Sequence, residues 1–407
     1  MYRYGSACAL LLSLRFSRQS EGLCPFNPRC IFRFTPVVNT RGGAPSNPMR
    51  GSRWARAPFN PLPLLVLILI PLILSGCQIG YLLKSAYSQA DLLSKRVPIE
   101  KALQDPALSA EQKSKLVLAR DARIFAENEL GLAHTKNYTT FVQLKQPYVT
   151  WVVSASVKDE LKHHLWKYPL IGEMPYKGFF DPQGAAEEAA SLRADGFDTY
   201  VRGVTAYSTL GWFRDPVLSS MLGYKDYDLV STIIHETTHA TVFIKSEADF
   251  NERLATFIGE KGAEAFYLKR EGADGATLKR MSDDSADEKR FAEFISRELD
   301  DVDKWYASRK SSPIPETERL ARLKSIQEKF VAELKPKLKD PKGFSRFEKT
   351  ELNNAQLLTY RLYFQDLSQF QKVFDKLGRD FPKMLEFCQT LAKTDDPVAA
   401  LAEKAKN

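Results

Sequence analysis

The chain has 407 residues, of which 44% are hydrophobic and 27% are charged, and this composition excludes a single small module and a disordered chain. The formal charge of +8 would suit an anionic partner such as nucleic acid, but the charge is confined to one end. Residues 1–76 contain nine arginines and one acidic residue, Glu21, so they carry the whole excess and the rest of the chain has no net charge. A body with balanced charge has no electrostatic footprint for DNA or RNA, so we expect no nucleic-acid partner.

Cysteine usage excludes a disulfide framework. The chain has five cysteines, and beyond the arginine-rich N-terminal stretch only Cys77 and Cys388 remain. A disulfide between these two cysteines would have to link residues separated by most of the chain. The residues around Cys77 give a better explanation for the presence of this cysteine.

Residues 49–76 have the parts of a secretory signal peptide. Three arginines follow Met49, an almost wholly apolar run extends over Leu62–Leu74, and small residues precede Cys77. The apolar run is shorter than the ~20 residues that a bilayer-spanning helix needs. We therefore predict a cleaved signal.

The tetrapeptide Leu74-Ser75-Gly76-Cys77 resembles the lipobox of bacterial lipoproteins. The resemblance implies that the signal is cut before Cys77 and that this cysteine is acylated on its sulfur and on its new amino group. Acyl chains hold a protein at a membrane without a spanning helix. Gln78 rather than Asp follows the cysteine, and by resemblance to the sorting pattern of Gram-negative lipoproteins this implies an outer-membrane location facing the periplasm.

Two alternatives stay open at the N-terminus. The apolar run could remain uncleaved as a short membrane anchor, although Pro61, Pro63 and Pro71 lie in or beside it. Residues 1–48 show no sustained periodicity, and we predict that they are a non-structured extension, with translation starting at Met49. A structured N-terminal domain is the other interpretation of these residues.

The segment 77–144 is predicted to be helical. Apolar residues recur at helical spacing after the lipobox through Ala86 and Ala90, and a second helical pattern covers about 109–128. Ser109 is the predicted N-cap of that second helix.

Between about 145 and 206 the chain becomes rich in β-branched and aromatic residues, which favour strands. We predict strands at 148–153, 168–172 and 199–204. A helix near 183–194 separates the last two.

From about 225 onward the pattern is helical nearly throughout, and prolines divide it into separate helices. We therefore predict an α+β chain. Its catalytic core, 145–270, would combine a small mixed sheet with the helices that carry the site. A mostly helical part, 271–407, would pack on this core.

One motif contains the candidate metal-binding and catalytic residues. His235-Glu236-Thr237-Thr238-His239 lies in a predicted helix, where histidines four residues apart project from one face and can share an ion. In zinc peptidases with this motif the glutamate takes a proton from metal-activated water, so Glu236 is the predicted general base. Because the chain has only five histidines, chance is a poor explanation. A core pair of histidines without metal is the alternative.

Two histidines and a water leave a tetrahedral zinc site one protein ligand short. A second amphipathic helix is predicted over about 250–268, and the residues before it suffice for a reversal that aims Glu252 at the histidines. Glu252 is therefore the predicted third ligand, with Glu247 and Asp249 as alternatives. Ser246 or Asp249 is the predicted cap of this helix.

The histidine motif followed by Asn251-Glu252-Arg253-Leu254-Ala255 resembles the gluzincins, the thermolysin-like zinc peptidases, with a shorter spacer than in most of them. A closer resemblance, through the whole mature chain, is to a family of bacterial lipoproteins known as predicted aminopeptidases. The features that carry it are the lipobox with Gly80-Tyr81, the loop Ala206–Phe213, Asp215–Leu218, the histidine motif, Phe250-Asn251-Glu252, Asn353-Asn354-Ala355 and Tyr363.

This resemblance implies a zincin-like metallopeptidase fold and a peptide substrate. It also implies one Zn²⁺ per chain, held by His235, His239 and Glu252, with Glu236 as general base.

Four other residues are expected to support the chemistry. Asn251 and Thr256 are expected to orient the metal ligands from behind, on the side away from the metal. For Thr256 the alternative is an ordinary packing role, which is the usual role of a threonine on a helix. Tyr207 and Tyr363 are candidates to stabilise the developing oxyanion, a task suited to a phenol, although in a chain with 16 tyrosines a structural role is the alternative for each.

An exopeptidase also needs a carboxylate that binds the free α-amino group. Glu247, Asp215 and Glu173 are available, and the spacing selects none of them, so endopeptidase action stays open. The remaining histidines lack partners at ligand spacing and are predicted to lie at the surface: His134, His163 and His164.

The sequence thus predicts a membrane-tethered zinc peptidase, with aminopeptidase action implied by the resemblance. The alternative is a lipid-anchored periplasmic binding or envelope-assembly protein whose zinc site is structural or idle. Glu236 discriminates between them, because a structural site has no use for an uncoordinated acid beside the water position.

Overall fold

A computed structural model of the protein describes residues 76–168, 172–206, 213–245, 247–309, 312–363 and 366–406. From Lys84 onward these residues form one compact unit, and Gly76–Leu83 belong to a second. The predicted extension, the signal up to residue 75 and Tyr207 lie outside the described residues. Cys77 and Tyr363 are described only as positions in helices.

Helices dominate the described chain, with short strands among them in its N-terminal half. The helices are α1 (Gly76–Ser94), α2 (Ile99–Ala102), α3 (Ala110–Asn128), α4 (Pro182–Ala194), α5 (Asp226–Thr241), α6 (Ala248–Glu271), α7 (Ala276–Ser308), α8 (Glu316–Lys329), α9 (Ser345–Lys349), α10 (Asn354–Tyr363), α11 (Ser368–Lys376), α12 (Phe381–Leu391) and α13 (Pro397–Lys406). The strands are β1 (Val97–Pro98), β2 (Thr140–Val142), β3 (Thr150–Ser156), β4 (Trp166–Tyr168), β5 (Gly172–Met174), β6 (Tyr176–Phe179), β7 (Asp198–Val204) and β8 (Val217–Leu218).

This order confirms the predicted α+β class and the mostly helical C-terminal part. The likeness to zincins stays a prediction. Within the described ranges, no helix has the length and apolarity that crossing a bilayer requires. The apolar run at 62–74 lies outside those ranges.

The larger sheet is antiparallel, with β3 between β6 and β7. Small side chains of α4, including Ala185 and Ala189, pack against Val153 and Ala155 of the central strand, and α10 also contacts β3 and β7. The strand predicted at 168–172 is instead divided between β4 and β5, which pair as a hairpin. Strand β6 was not predicted, because Lys177-Gly178 interrupts its apolar alternation.

The smaller sheet leads the chain into α5. Strand β2 pairs antiparallel with β1 and parallel with β8, so this sheet is mixed. A 3₁₀ turn, Ser219–Gly223, follows β8 directly and ends just before α5 begins. The sheet therefore sets where the helix with the histidine motif starts.

Helix α3 begins as predicted. The Ser109 hydroxyl accepts a hydrogen bond from the Gln112 backbone, and the Gln112 side chain accepts one from the Ser109 backbone. This reciprocal capping box satisfies two backbone donors that the first helical turn leaves without partners. The cap is a local signal, which is why the sequence located it.

A buried ion pair joins the sheet to the C-terminal helices. Arg319 of α8 donates two hydrogen bonds to Asp198 at the start of β7, at 2.7 and 3.1 Å, and both side chains are buried. Asp198 also accepts from the Asn354 backbone at 2.9 Å, and the Tyr306 hydroxyl donates to the Asn354 side chain at 2.8 Å. Elements from both parts of the chain therefore share one polar cluster.

Replacing Asp198 by Ala should lower the free energy of unfolding by about 1.5–3 kcal/mol, because it removes two charge-assisted hydrogen bonds and leaves the buried Arg319 charge to its exposed partner Glu316, at 2.8 Å. Urea unfolding measures the change. Asp301→Ala removes a largely exposed partner of Lys304 and, as the control, should shift stability by no more than about 0.5 kcal/mol. Equal effects of the two substitutions would show that the buried pair does not hold the two parts together.

Candidate active site

Helix α5 is buried on all sides. Every residue from Leu229 to His239 is buried, and α5 packs against both α3 and α6. The hydroxyl groups of Thr237 and Thr238 donate to the carbonyl oxygens of Ile233 and Ile234, at 2.7 and 2.9 Å. These bonds within the helix let α5 carry polar side chains through a dry environment.

Asn251 fixes the turn between α5 and α6. The Ile244 amide donates to Asn251 Oδ1 at 2.9 Å, and Asn251 Nδ2 donates to the Ile244 carbonyl at 2.7 Å. Asn251, which was expected to orient the ligands from behind, instead holds the backbone of the turn that precedes Glu252. Asp249 lies inside the first turn of α6 and Glu247 stands at its N-cap, so Asp249 as the cap was wrong. Ser246 lies outside the described residues.

The two helices run antiparallel and approach closely. Glu252 near the start of α6 meets His239 near the end of α5. Further along α6, a Cβ added at Gly259 would lie 2.9 Å from the Ser231 carbonyl oxygen and 3.1 Å from His235 Cβ. The absent side chain of Gly259 therefore sets how near the helices come.

This packing brings His235, His239 and Glu252 together. The two histidine Nε2 atoms lie 3.2 Å apart, and the Glu252 carboxylate oxygens lie 3.5 Å from His239 Nε2 and 3.6 Å from His235 Nε2. Ligand atoms about 2.1 Å from a tetrahedral zinc ion lie about 3.4 Å from one another. The donor set and its spacing therefore fit zinc.

The opposite charges in this group shift two pKa values. Burial disfavours the charged form of Glu252, but the charge of His239 and hydrogen bonds from both histidines hold the Glu252 pKa well below its usual range. Burial likewise disfavours protonated His239, yet the carboxylates of Glu252 and Glu236 raise the His239 pKa. The cluster thus keeps Glu252 ionised, which is the form that binds a cation.

Glu236 lies beside the triad, and its carboxylate is buried. Its side chain is 1% exposed, and neither of its carboxylate oxygens has a hydrogen-bond partner in the described part of the chain. Native proteins rarely leave a buried carboxylate in this state, because its desolvation is costly. Such a group is a strong candidate for a functional role.

The alternative ligands lie elsewhere. Among the described residues, the group able to hold a metal consists of the triad alone. The Asp249 side chain is 71% exposed and pairs with Arg253 at 3.3 Å. Thr256 is half-buried one turn after Glu252, and no described hydrogen bond joins it to the triad.

The other candidate residues are scattered. Asp215 is buried and its backbone bonds with Asn137 and Tyr138, whereas Glu173 is exposed in the β4–β5 hairpin and pairs with Lys167. His134 lies at the surface as predicted. The surface prediction was wrong for two histidines that are half-buried, His163 and His164; the ring of His164 packs edge-on against aromatic neighbours.

Comparison with known proteins gives one match: the model of the family described as "Putative aminopeptidase" covers residues 80–400. The chain belongs to this family. Membership supports a peptidase activity. No curated protein and no solved structure matched the chain.

The glycines of α6 were not among the predicted functional positions. A glycine inside a helix costs about 1 kcal/mol relative to alanine, so Gly259 and Gly262 within one predicted helix were a usable signal of close approach. A Cβ at Gly262 would lie 2.8 Å from Leu130 and 3.0 Å from Ile234. Both glycines therefore mark contacts that hold α6 in place.

Replacing Gly259 by Ala should lower the free energy of unfolding by about 1–3 kcal/mol, because the added methyl group forces α6 away from α5. Thermal or urea unfolding measures this loss. Gly343→Ala is the control, since a Cβ there comes no nearer than 4.0 Å to a neighbour. If Gly259→Ala instead stabilised the protein by about 1 kcal/mol, as helix propensity alone predicts, the close contact would not exist.

Proposed function

We propose that this chain is a zinc-dependent aminopeptidase, with His235, His239 and Glu252 as metal ligands and Glu236 as general base. The family supports peptidase action, and the donor spacing of the triad supports zinc. The observation that carries the mechanism is the buried Glu236 carboxylate, whose oxygens have no hydrogen-bond partner among the described residues.

Glu236 is what separates a catalytic site from a structural one. Structural zinc sites are closed by four protein ligands, whereas catalytic sites have three and leave one position for water or substrate. The triad supplies three ligands, and Glu236 lies beside them. A binding or assembly protein with a structural or idle ion would gain nothing from this buried acid.

Each residue of the site has a separate role in the proposed hydrolysis. A zinc ion, when bound, supplies a Lewis acid that polarises a peptide carbonyl and acidifies water. Glu236 Oε1 or Oε2 accepts the proton of the attacking water and then delivers it to the leaving nitrogen. Tyr207 and Tyr363 remain the proposed donors to the oxyanion.

Metal content tests the ligand set. Purified protein should contain about one zinc per chain, and His239→Ala and Glu252→Ala should each lose it. Glu247→Gln and Asp249→Asn are matched controls that should retain it, and circular dichroism of every variant shows that it is folded. Folded wild-type protein without metal would indicate a packed histidine pair and would favour the binding-protein alternative.

Glu236→Gln, measured on the same preparations, tests the base. It should keep the metal while hydrolysis of aminoacyl and peptide substrates falls by about 10²–10⁴-fold, because the amide cannot accept the proton. Hydrolysis retained by this variant would exclude the proposed mechanism even with zinc present.

We further propose that the enzyme is tethered to the outer membrane through an acylated Cys77. The lipobox and the apolar run before it support this tether. Cys77 lies at the start of α1, so the catalytic unit would follow the anchor directly.

Metabolic labelling with an alkyne fatty acid tests the tether. Wild-type protein and Cys388→Ser should both be labelled, because Cys388 is a buried free thiol, whereas Cys77→Ser should not. Mass spectrometry should find an N-terminal peptide that begins with acylated Cys77. An unlabelled wild-type chain would contradict acylation.

A further inference from the structure

Helix α1 exposes an apolar face. Leu83, Ala86, Tyr87 and Ala90 follow the i, i+3, i+4, i+7 spacing that places them on one side of a helix, here called the outer face. All four are exposed. At 66% and 75%, Leu83 and Tyr87 are the most exposed large hydrophobic side chains of the described residues.

The opposite side of α1 is covered and mixed in character. Gln89 and Leu92 are buried, and Tyr81, Ser85 and Ser88 are half-buried. The helix thus has apolar residues on both sides, whereas a helix on the surface of a water-soluble protein keeps its apolar stripe toward the core. Scattered exposed hydrophobic residues are ordinary, but a continuous face of them marks an interaction site.

The outer face carries few charges. Between Gly76 and Ala90 the only charged residue is Lys84, which borders this face and pairs with Asp181 at 2.8 Å. Asp91, one turn after Tyr87 on the same border, pairs with Lys95. Leu82, on the other border, is exposed as well. An apolar helix face with a tyrosine and few charges suits the boundary between lipid head groups and acyl chains.

The position of α1 in the chain identifies what covers this face. Under the proposed tether, whether the apolar run at 62–74 is cleaved before an acylated Cys77 or retained as an anchor, the bilayer begins at the start of α1. Leu83 and Tyr87 follow Cys77 by only six and ten residues in the sequence. A helix lying along the membrane plane keeps both residues at the lipid surface.

We propose that the outer face of α1 is seated in the lipid surface, as an interfacial helix beside the anchor. This inference rests on the proposed tether. It gives the membrane a second contact with the protein, which restricts how the catalytic unit is oriented over the bilayer.

Quenching by brominated lipids tests this seating. Full-length Tyr87→Trp, purified in detergent, is reconstituted into phosphatidylethanolamine and phosphatidylglycerol vesicles, with or without lipids brominated near the head group. Leu268→Trp, at an exposed position on α6, is the control, and wild-type fluorescence is subtracted from both. Brominated lipid should quench most of the fluorescence of Tyr87→Trp and little of that of Leu268→Trp.

Flotation of the vesicles separates the two hypotheses. If the protein floats with them but Tyr87→Trp is quenched no more than the control, the interfacial helix is excluded while the tether stands. If the protein does not float, the tether fails and the inference fails with it. If emission changes with protein density rather than with brominated lipid, the face binds a second copy of the chain, which also overturns the proposal.

Discussion

The contact between α5 and α6 is the constraint on which the site depends. The spacing of His235 and His239 is set by the pitch of one helix, so almost any helix with this motif presents the pair correctly. The position of Glu252 relative to the histidines is not fixed by the pitch of α5, since it depends on how closely a second helix approaches. Gly259 permits a backbone approach that a methyl group would prevent, and Asn251 fixes the turn from which α6 departs. Together they place the Glu252 carboxylate within 3.6 Å of both histidines.

The accurate placement of these side chains is maintained in a buried environment that disfavours charged groups. A buried carboxylate that finds no hydrogen-bond partner among the described residues, as at Glu236, destabilises the fold that contains it, and functional sites commonly carry such a cost. Compensating contacts lie elsewhere, in the rings of Phe291, Phe330 and Phe347 and in the bonds of Asn354 to three backbone carbonyls of the loop after β3. Asn354 therefore links the helical C-terminal part to the loop after β3. This asparagine, one of the residues that carried the family resemblance, has a structural role here.

Sequence reasoning succeeded where the determining interaction is local. The Ser109 cap depends on residues within one turn, and the histidine pair depends on one helical period. It failed where the determining partner is distant. Strand β6 has a weak pattern of its own and is a strand because it pairs with β3. Helix α6 begins without a side-chain cap, and Asn251 in its first turn instead binds the backbone of Ile244. Glu252 was predicted over Asp249, and the structure places the Glu252 carboxylate near both histidines, whereas the Asp249 side chain is 71% exposed.

Helix α1 shows a different limit of prediction from sequence periodicity. The stripe through Ala86 and Ala90 predicts a helix correctly, but periodicity reports only that a helix has two unlike sides. Which side is covered depends on the medium, and the usual assumption that apolar residues face the core holds for water. Beside a membrane anchor, the same free energy of transfer would favour the opposite orientation. In the proposed seating, the outward stripe of α1 follows the ordinary hydrophobic effect in a lipid environment.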